Sequence, residues 1–263
     1  MRIKRIALSV VTYNSSDAFK TIDNLITEIL PHFSAELFIF DNNSTPDYQE
    51  KLQAYASEQV TITFYPENKG FGFGHNHNAR LTDSEYLVIC NPDILIDQHS
   101  LKALYDYMEE NAEAALSAPK VLYPDGTTQY LMRQKLDVFD YMLRFIPFQF
   151  VKDIFKKRLA FFETREQTDR TEIQQIPFVS GCFMFYRKKD FDQIAGFDER
   201  FFMYFEDNDI CQKTRQSGKE IMYVPQASVI HFYGRDSHRS RKVFMIFMCS
   251  MVSYFNKWGW RFF

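Results

Sequence analysis

Three carboxylates fall within four positions in Glu206-Asp207-Asn208-Asp209, directly behind the aromatic run Phe201-Phe202-Met203-Tyr204-Phe205. An aspartate has a reference pKa of about 3.9, so at neutral pH it is ionised and ready to take a proton. Like charges this close raise one another's pKa, which improves a base. The same residues also suit the first turn of a helix, where the macrodipole favours negative charge. Polar clusters recur elsewhere: Asp41-Asn42-Asn43-Ser44, Asn91-Pro92-Asp93, and a histidine, His231, behind Ile221-Met222-Tyr223-Val224 and Pro225. The two Asx clusters are also good turn chemistry. In Gly70-Phe71-Gly72-Phe73-Gly74-His75-Asn76-His77-Asn78, glycines opening a helix can bring backbone amides close to phosphates. His75 takes the place of the last glycine of GxGxxG, which argues against a dinucleotide-binding dehydrogenase. His75 and His77 would face different ways on a helix and read as polar lining or surface.

The elements that would carry these groups alternate short apolar runs with amphipathic ones, the pattern of an α/β fold with a mostly parallel sheet flanked by helices. Residues 6–11, 37–40, 60–64 and 86–90 read as strands. Helices are expected after Ser15 or Ser16 as cap, with Phe19, Ile22, Ile26 and Ile29 on one face, over residues 46–56, and from about Asn76. Ligands in such sheets collect at the carboxyl ends of strands. Thr12-Tyr13-Asn14, Asp41-Asn42-Asn43-Ser44 and Asn91-Pro92-Asp93 all fall at such ends. Later come a strand over 178–186, a helix over 206–216, a strand over 221–224 and a loop carrying His231.

In this order the motifs resemble the family-2 glycosyltransferases of the GT-A fold, over about residues 3 to 235. Within the family, Gly70–Asn76, Gly181-Cys182-Phe183-Met184 and Phe202-Met203-Tyr204-Phe205-Glu206-Asp207 look most like bacterial rhamnosyltransferases that build O-antigen and related polysaccharides. The resemblance implies an inverting transferase using dTDP-L-rhamnose, with Asp207 of the ED motif as catalytic base. Glu206, Asp209 and Tyr204 would shape the acceptor pocket. The nucleotide sugar would lie over Thr12, Asn14, Asp41, Asn43, Gly72, Asn78, Asn91 and Asp93. Asn91-Pro92-Asp93 stands at the family's DxD motif with an amide for the first acid, and a divalent cation (Mg or Mn) would be held by Asp93 and His231. Another hexose from a UDP- or GDP-sugar, or a silent glycan-binding domain, are the alternatives.

The composition narrows the partners. A net charge of −3 over 263 residues gives no general basic field and excludes wholesale nucleic-acid binding. Cys90, Cys182, Cys211 and Cys249 have no metal-type spacing and read as reduced core residues in a cytoplasmic protein. The 28 Phe, 15 Tyr and 2 Trp concentrate in two stretches, an insertion at about 139–163 and a tail at 239–263, both broken by Lys and Arg before a membrane span accumulates. The expected organisation is a transferase domain over 1–238, with a nucleotide-sugar half to about 125 and an acceptor half beyond it. The tail reads as a basic aromatic amphipathic helix, either docked on the core or a subunit or lying in the inner face of the cytoplasmic membrane. The second option, peripheral association with the inner membrane, suits a lipid-linked saccharide acceptor.

Overall fold

The run Ile6–Thr12 forms β1, buried at every residue, between the parallel strands β2 (Ala35–Asp41) and β4 (Tyr86–Cys90). A strand covered on both faces has no polar face, so its sequence is a nearly continuous apolar run, interrupted only by Ser9 before it ends at Thr12. These residues belong to a computed structural model that describes residues 5–146, 148–232 and 241–263. β3 (Val60–Phe64) extends the parallel group beyond β2. On the other side β4 pairs antiparallel with β8 (Phe183–Arg187), and β8 antiparallel with β6 (Ala114–Leu122). β6 runs parallel to β9 (Glu220–His231), to which the short β5 (Ile94–Ile96) and β7 (Gln174–Gln175) are antiparallel. The sheet is thus mixed, with β8 reversed at its centre. That reversal brings the start of β8 to the carboxyl end of β4, where Cys90 pairs with Phe183.

The helices follow the expected places with shifted ends. α1 (Ala18–Asn24) starts behind Asp17, with no side-chain cap from Ser15 or Ser16, and runs on into a π-turn at Leu25–Ile29. Ile22, Leu25 and Ile29 are buried against the sheet. α2 (Pro46–Gln53) has proline in its first turn, where a missing N–H costs nothing. α3 (Phe71–Arg80) begins five residues before the expected Asn76, with Gly70 at φ 90° as its cap. α4 (Gln98–Glu110) is capped by Asp97, which accepts from the Ser100 N–H at 2.7 Å; it and β6 have no counterpart in the sequence reading. α9 (Lys188–Gln193) and α10 (Glu206–Gln216) flank the opposite side. The strand expected over 178–186 is shorter and later, and β9 runs through Pro225 to His231, so His231 lies on a strand rather than in a loop.

The insertion is helical: α5 (Val138–Phe145), α6 (Gln149–Ile154), α7 (Lys156–Phe162) and α8 (Arg165–Asp169). Arg158 ties it together, donating to the buried Asp140 (2.5 Å) and Asp137 (3.1 Å). The tail forms α11 (Arg241–Trp258), whose Phe247, Met251, Tyr254 and Phe255 join a core cluster with Tyr141, Phe205 and Ile210. One face of α11 is therefore core. Arg239 and the 238/239 boundary lie outside the described residues. Among the described residues no helix is long and apolar enough to cross a membrane. Cys90, Cys182 and Cys211 are buried, with burial pushing their thiols up, whereas Cys249 is exposed on α11, against expectation.

Candidate active site

Strand register sets the site. Thr12 pairs with Asp41 at the ends of β1 and β2, and Val10 with Cys90 on β4, so Thr12, Asp41 and Asn91 emerge along one edge. Asp41 is wholly buried; one oxygen accepts from the Ser44 N–H (3.0 Å) and the Gln49 amide (2.8 Å), and Oδ1 has no hydrogen-bond partner. A buried carboxylate oxygen without a donor is costly unless a ligand supplies one. Thr12 Oγ1 is 2.6 Å from the Tyr48 hydroxyl. Asn14, at φ 49°, donates its N–H to Ser44 Oγ at 2.8 Å and accepts from the Thr45 N–H at 2.9 Å, which locks the two loops together. Asn43 is exposed in a left-handed turn, φ 65°.

Asp93 and His231 are brought together by the pairing of Ile94 with His231. His231 Nε2 lies 3.3 Å from Asp93 Oδ1, a buried oxygen with no hydrogen-bond partner. Gln129 fixes the imidazole. Its Nε2 donates to the His231 carbonyl at 2.7 Å, which turns Oε1 toward His231 Nδ1 at 2.9 Å. With Gln129 Oε1 as acceptor for Nδ1, the ring is oriented so that Nε2 faces Asp93. Sequence reasoning missed Gln129, which has no motif around it; only the fold brings it within reach of His231. Among the described residues no three His, Cys, Asp or Glu side chains are grouped to hold a metal. The protein offers a pair.

The start of β8 links this edge to the acid cluster. The Asn91 N–H donates to the Cys182 carbonyl at 2.9 Å, and the N–H of the adjacent Gly181 reaches Asp207 Oδ2 at 3.3 Å. Asp207 Oδ1 accepts from the Asn208 N–H at 2.7 Å. Burial raises the Asp207 pKa above the ordinary carboxylate range, while these two N–H groups and the Arg133 guanidinium pull it down. Arg133 is itself buried, its amide bonded to the Phe178 carbonyl at 2.9 Å and its guanidinium to the Tyr130 carbonyl at 2.9 Å; nothing in the sequence marked it. Burial, with the Asp207 charge adding, holds Glu206 well above its usual range, and Glu206 Oε2 has no hydrogen-bond partner. Tyr204 and Phe205, at φ 69° and 65°, put two non-glycine residues in left-handed backbone immediately before this cluster. Such strain is held at functional turns by the surrounding structure.

Three expected contacts lie elsewhere. Asp209 is fully buried and accepts from Trp258 Nε1 (2.8 Å) and Lys257 Nζ (2.7 Å) of α11, so it anchors that helix rather than facing an acceptor. Asn78 is buried under the sheet, donating to Ser9 Oγ (3.0 Å) and the Phe38 carbonyl (3.1 Å); it pins α3 to β1 and β2 instead of reaching a nucleotide. Gly72 lies where a Cβ would sit 2.8 Å from the Phe197 Cβ, so its lack of a side chain serves packing, not phosphate. Gly70 and Gly74 are likewise filled, by the Phe202 carbonyl and by Val11 and Phe40. His75 is in the core, bonded to Ser9 Oγ at 2.7 Å, with burial lowering its pKa to about 3.

Comparison with known proteins places the chain among glycosyltransferases. The chain is 24% identical to the rhamnosyltransferase WbbL of Escherichia coli over 243 residues, covering 87% of this chain and 83% of that one. It is 25% identical over 215 residues to the N-acetylglucosaminyl-diphospho-decaprenol L-rhamnosyltransferase of Mycobacterium tuberculosis, covering 77% and 68%. It is 22% identical to the O-antigen chain rhamnosyltransferase RfbN of Salmonella typhimurium, covering 86% and 66%. Among solved structures, GalNAc-T7 with UDP, GalNAc and Mn2+ superposes with a TM-score of 0.66 at 16% identity, covering 88% of this chain and 43% of that one. The mannosyltransferase PcManGT of Pyrobaculum calidifontis with GDP-Man and Mn2+ gives 0.64 at 15% identity, covering 98% and 64%. These likenesses establish the GT-A fold, of which this chain spans only part of either solved neighbour. A model of the N-terminal domain of galactosyltransferase matches residues 172–238. The glycosyl transferase family 2 model matches residues 8–195, well over half of the chain and most of the edge just described, and the chain belongs to that family.

Proposed function

We propose that this glycosyltransferase moves L-rhamnose from dTDP-L-rhamnose, with inversion, onto a lipid-linked saccharide at the inner face of the cytoplasmic membrane. The observation that carries the transfer reading is the convergence of Asp41, the Asp93–His231 pair and Asp207 on one edge, tied through Gly181 and Cys182. The rhamnosyl donor is supported by the names of three relatives, and the lipid-linked acceptor by one.

In this reading the nucleoside lies over Thr12 and Asn14, and Asp41 Oδ1 receives a hydrogen bond from the base or ribose. Asp207 accepts the proton of the acceptor hydroxyl, whose oxygen attacks C1 from the face opposite the diphosphate. Gly181 and Asn208 hold its two oxygens in place for that transfer. Glu206 Oε2 is poised to pair with an acceptor hydroxyl. Asp93 and His231 fit a divalent cation. Asp93 Oδ1 is buried without a hydrogen-bond donor and faces the His231 imidazole at 3.3 Å, an oxygen and nitrogen pair of the chemistry that would hold such an ion. Held there, it would offset the charge that develops on the diphosphate leaving group.

Thermal melts with dTDP-L-rhamnose, UDP-sugars and GDP-sugars, each with Mn2+ or EDTA, test the donor and the cation. Ligand at 100 times its Kd stabilises by about 2.7 kcal/mol. The largest shift is expected with dTDP-L-rhamnose plus Mn2+, and Asp93→Ala is expected to remove the Mn2+-dependent part. A larger shift with a UDP- or GDP-sugar would reassign the donor, which the nucleotides bound in the two solved neighbours keep in view. Indifference to EDTA would overturn the cation, and binding without transfer to any saccharide would leave a silent glycan-binding domain.

A further inference from the structure

Asp207 follows a costly turn, and the contacts that hold the turn come largely from one distant element. On its upstream side, Ser250 Oγ of α11 donates to the Met203 carbonyl at 2.9 Å. Phe247 packs on the rings of Tyr204 (5.6 Å) and Phe205 (5.2 Å), the two left-handed residues, and Tyr254 packs on Phe205 (5.5 Å). On its downstream side, Trp258 Nε1 and Lys257 Nζ bind Asp209 Oδ1, and the same ammonium reaches Asp198 Oδ2 at 2.7 Å. A helix that merely closed a core would need only its apolar face. Here one helix directs a hydroxyl, an indole N–H and an ammonium at the backbone and carboxylates that bracket the base.

We infer that α11 is the element that fixes the catalytic-base turn, with Lys257, Trp258 and Ser250 as positioning residues for Asp207. The inference rests on the reading of Asp207 as the base. Left-handed backbone at two consecutive non-glycine residues persists only where its surroundings over-determine it. Loosening the grip lets the turn relax, and a misplacement of about 1 Å can cost about 100-fold in rate. Lys257 also compensates Asp209, a carboxylate wholly buried at the foot of the first turn of α10. Without that cation the buried charge would pull the helix start toward water.

The test uses the full chain and dTDP-L-rhamnose, or whichever UDP- or GDP-sugar of the panel above turns over, with nucleotide release as the readout. Assays run well below the melting temperature of each variant. Lys257→Met and Ser250→Ala are expected to lower kcat about 10- to 100-fold while donor KM changes less than about twofold, and Lys257→Arg to recover most of the loss. Trp258→Phe keeps the ring, removes the N–H and is expected to fall between them. Should Lys257→Met fail to fold, Ser250→Ala and Trp258→Phe decide. Wild-type kcat in the folded variants would overturn the inference, as would parallel changes in kcat and KM. Asp207→Asn separates the two levels: full turnover in that variant would sink the base itself, whereas an inactive Asp207→Asn beside unimpaired α11 variants would sink only the positioning role.

Discussion

At the residue scale burial makes two adjacent carboxyls of the site, Glu206 and Asp207, reluctant to ionise. Asp207 is the one whose reluctance is opposed, by the N–H groups of Gly181 and Asn208 and by the charge of Arg133. Asp207→Asn keeps the shape and loses the lone pair that takes the proton, so turnover should fall about 10³-fold while the nucleotide-sugar melt shift stays unchanged. Loss of both would point to a binding role instead. Because its pKa is raised, activity should decline on acidification at a higher pH than an exposed aspartate would give, and Arg133→Met should move that limb higher still, visible in a kcat/KM profile. Glu206 gives a stability test with a definite sign. Its pKa is raised on folding, so its contribution is intact below the unfolded value of about 4.3 and is lost as pH rises through the folded value. Glu206→Gln should therefore melt higher than the parent at pH 8, with the gap closing toward pH 4; a gap independent of pH would show that the carboxyl is not protonated on folding.

At the element scale the glycine-rich start of α3 separates packing from ligand binding. A Cβ on Gly70 would lie 2.1 Å from the Phe202 carbonyl, whereas Gly126, also at positive φ, has open space around it. Gly70→Ala should cost about 3 kcal/mol against about 1 for Gly126→Ala, since overpacking adds to backbone strain only at the first. Equal costs in denaturant melts would remove the close-packing explanation. This segment also shows where sequence reading ends. Periodicity located β1, β2, β3, β4, α2 and α10 within a few residues, because a strand buried on both faces or a helix with an acidic first turn announces itself locally. The Asp93–His231 partnership was legible as an order of motifs, although the strand carrying His231 was not, since proline inside a strand reads as its end. Gly72, Asn78 and Asp209 were misread for one reason: glycines, amides and acids beside motifs look alike whether they face a ligand or a neighbouring element. Gln129 and Arg133 left no local pattern at all, and their roles arise only from contacts across the fold.

At the scale of the whole molecule, the insertion and the tail form one surface. The Val138 and Phe139 N–H groups at the start of α5 donate to the Arg261 and Phe262 carbonyls, and the Phe139 and Phe263 rings pack with centroids 5.2 Å apart. Part of the expected basic and aromatic set is spent inward: Arg158 on Asp137 and Asp140, Lys257 on Asp198 and Asp209, and Phe247, Tyr254 and Phe255 in the core. What remains outward includes Phe148 (61% exposed), Phe150 (65%) and Ile154 (72%) on the insertion, Phe263 (77%) on the tail, and the exposed Lys156, Lys157 and Arg261. Removing the tail would strip α11 from the core, so it cannot isolate lipid contact from folding. The outward rings can. Fully burying a phenylalanine is worth roughly 1.5–3 kcal/mol, so the combined Phe148→Ser, Phe150→Ser and Phe263→Ser variant should bind anionic vesicles at least about 100-fold more weakly than the parent. Its melting temperature should stay within about 2 °C of the parent, because exposed side chains contribute little to the fold. Phosphatidylglycerol vesicles should bind the parent better than phosphatidylcholine ones, and high salt should narrow that difference, since each lysine or arginine near such a surface adds about 1 kcal/mol that ions screen. Turnover on a lipid-linked acceptor should then fall in the variant while turnover on a short soluble acceptor persists. Equal losses on the two acceptors, or vesicle binding unchanged by the substitutions, would assign these rings to a subunit interface rather than to lipid.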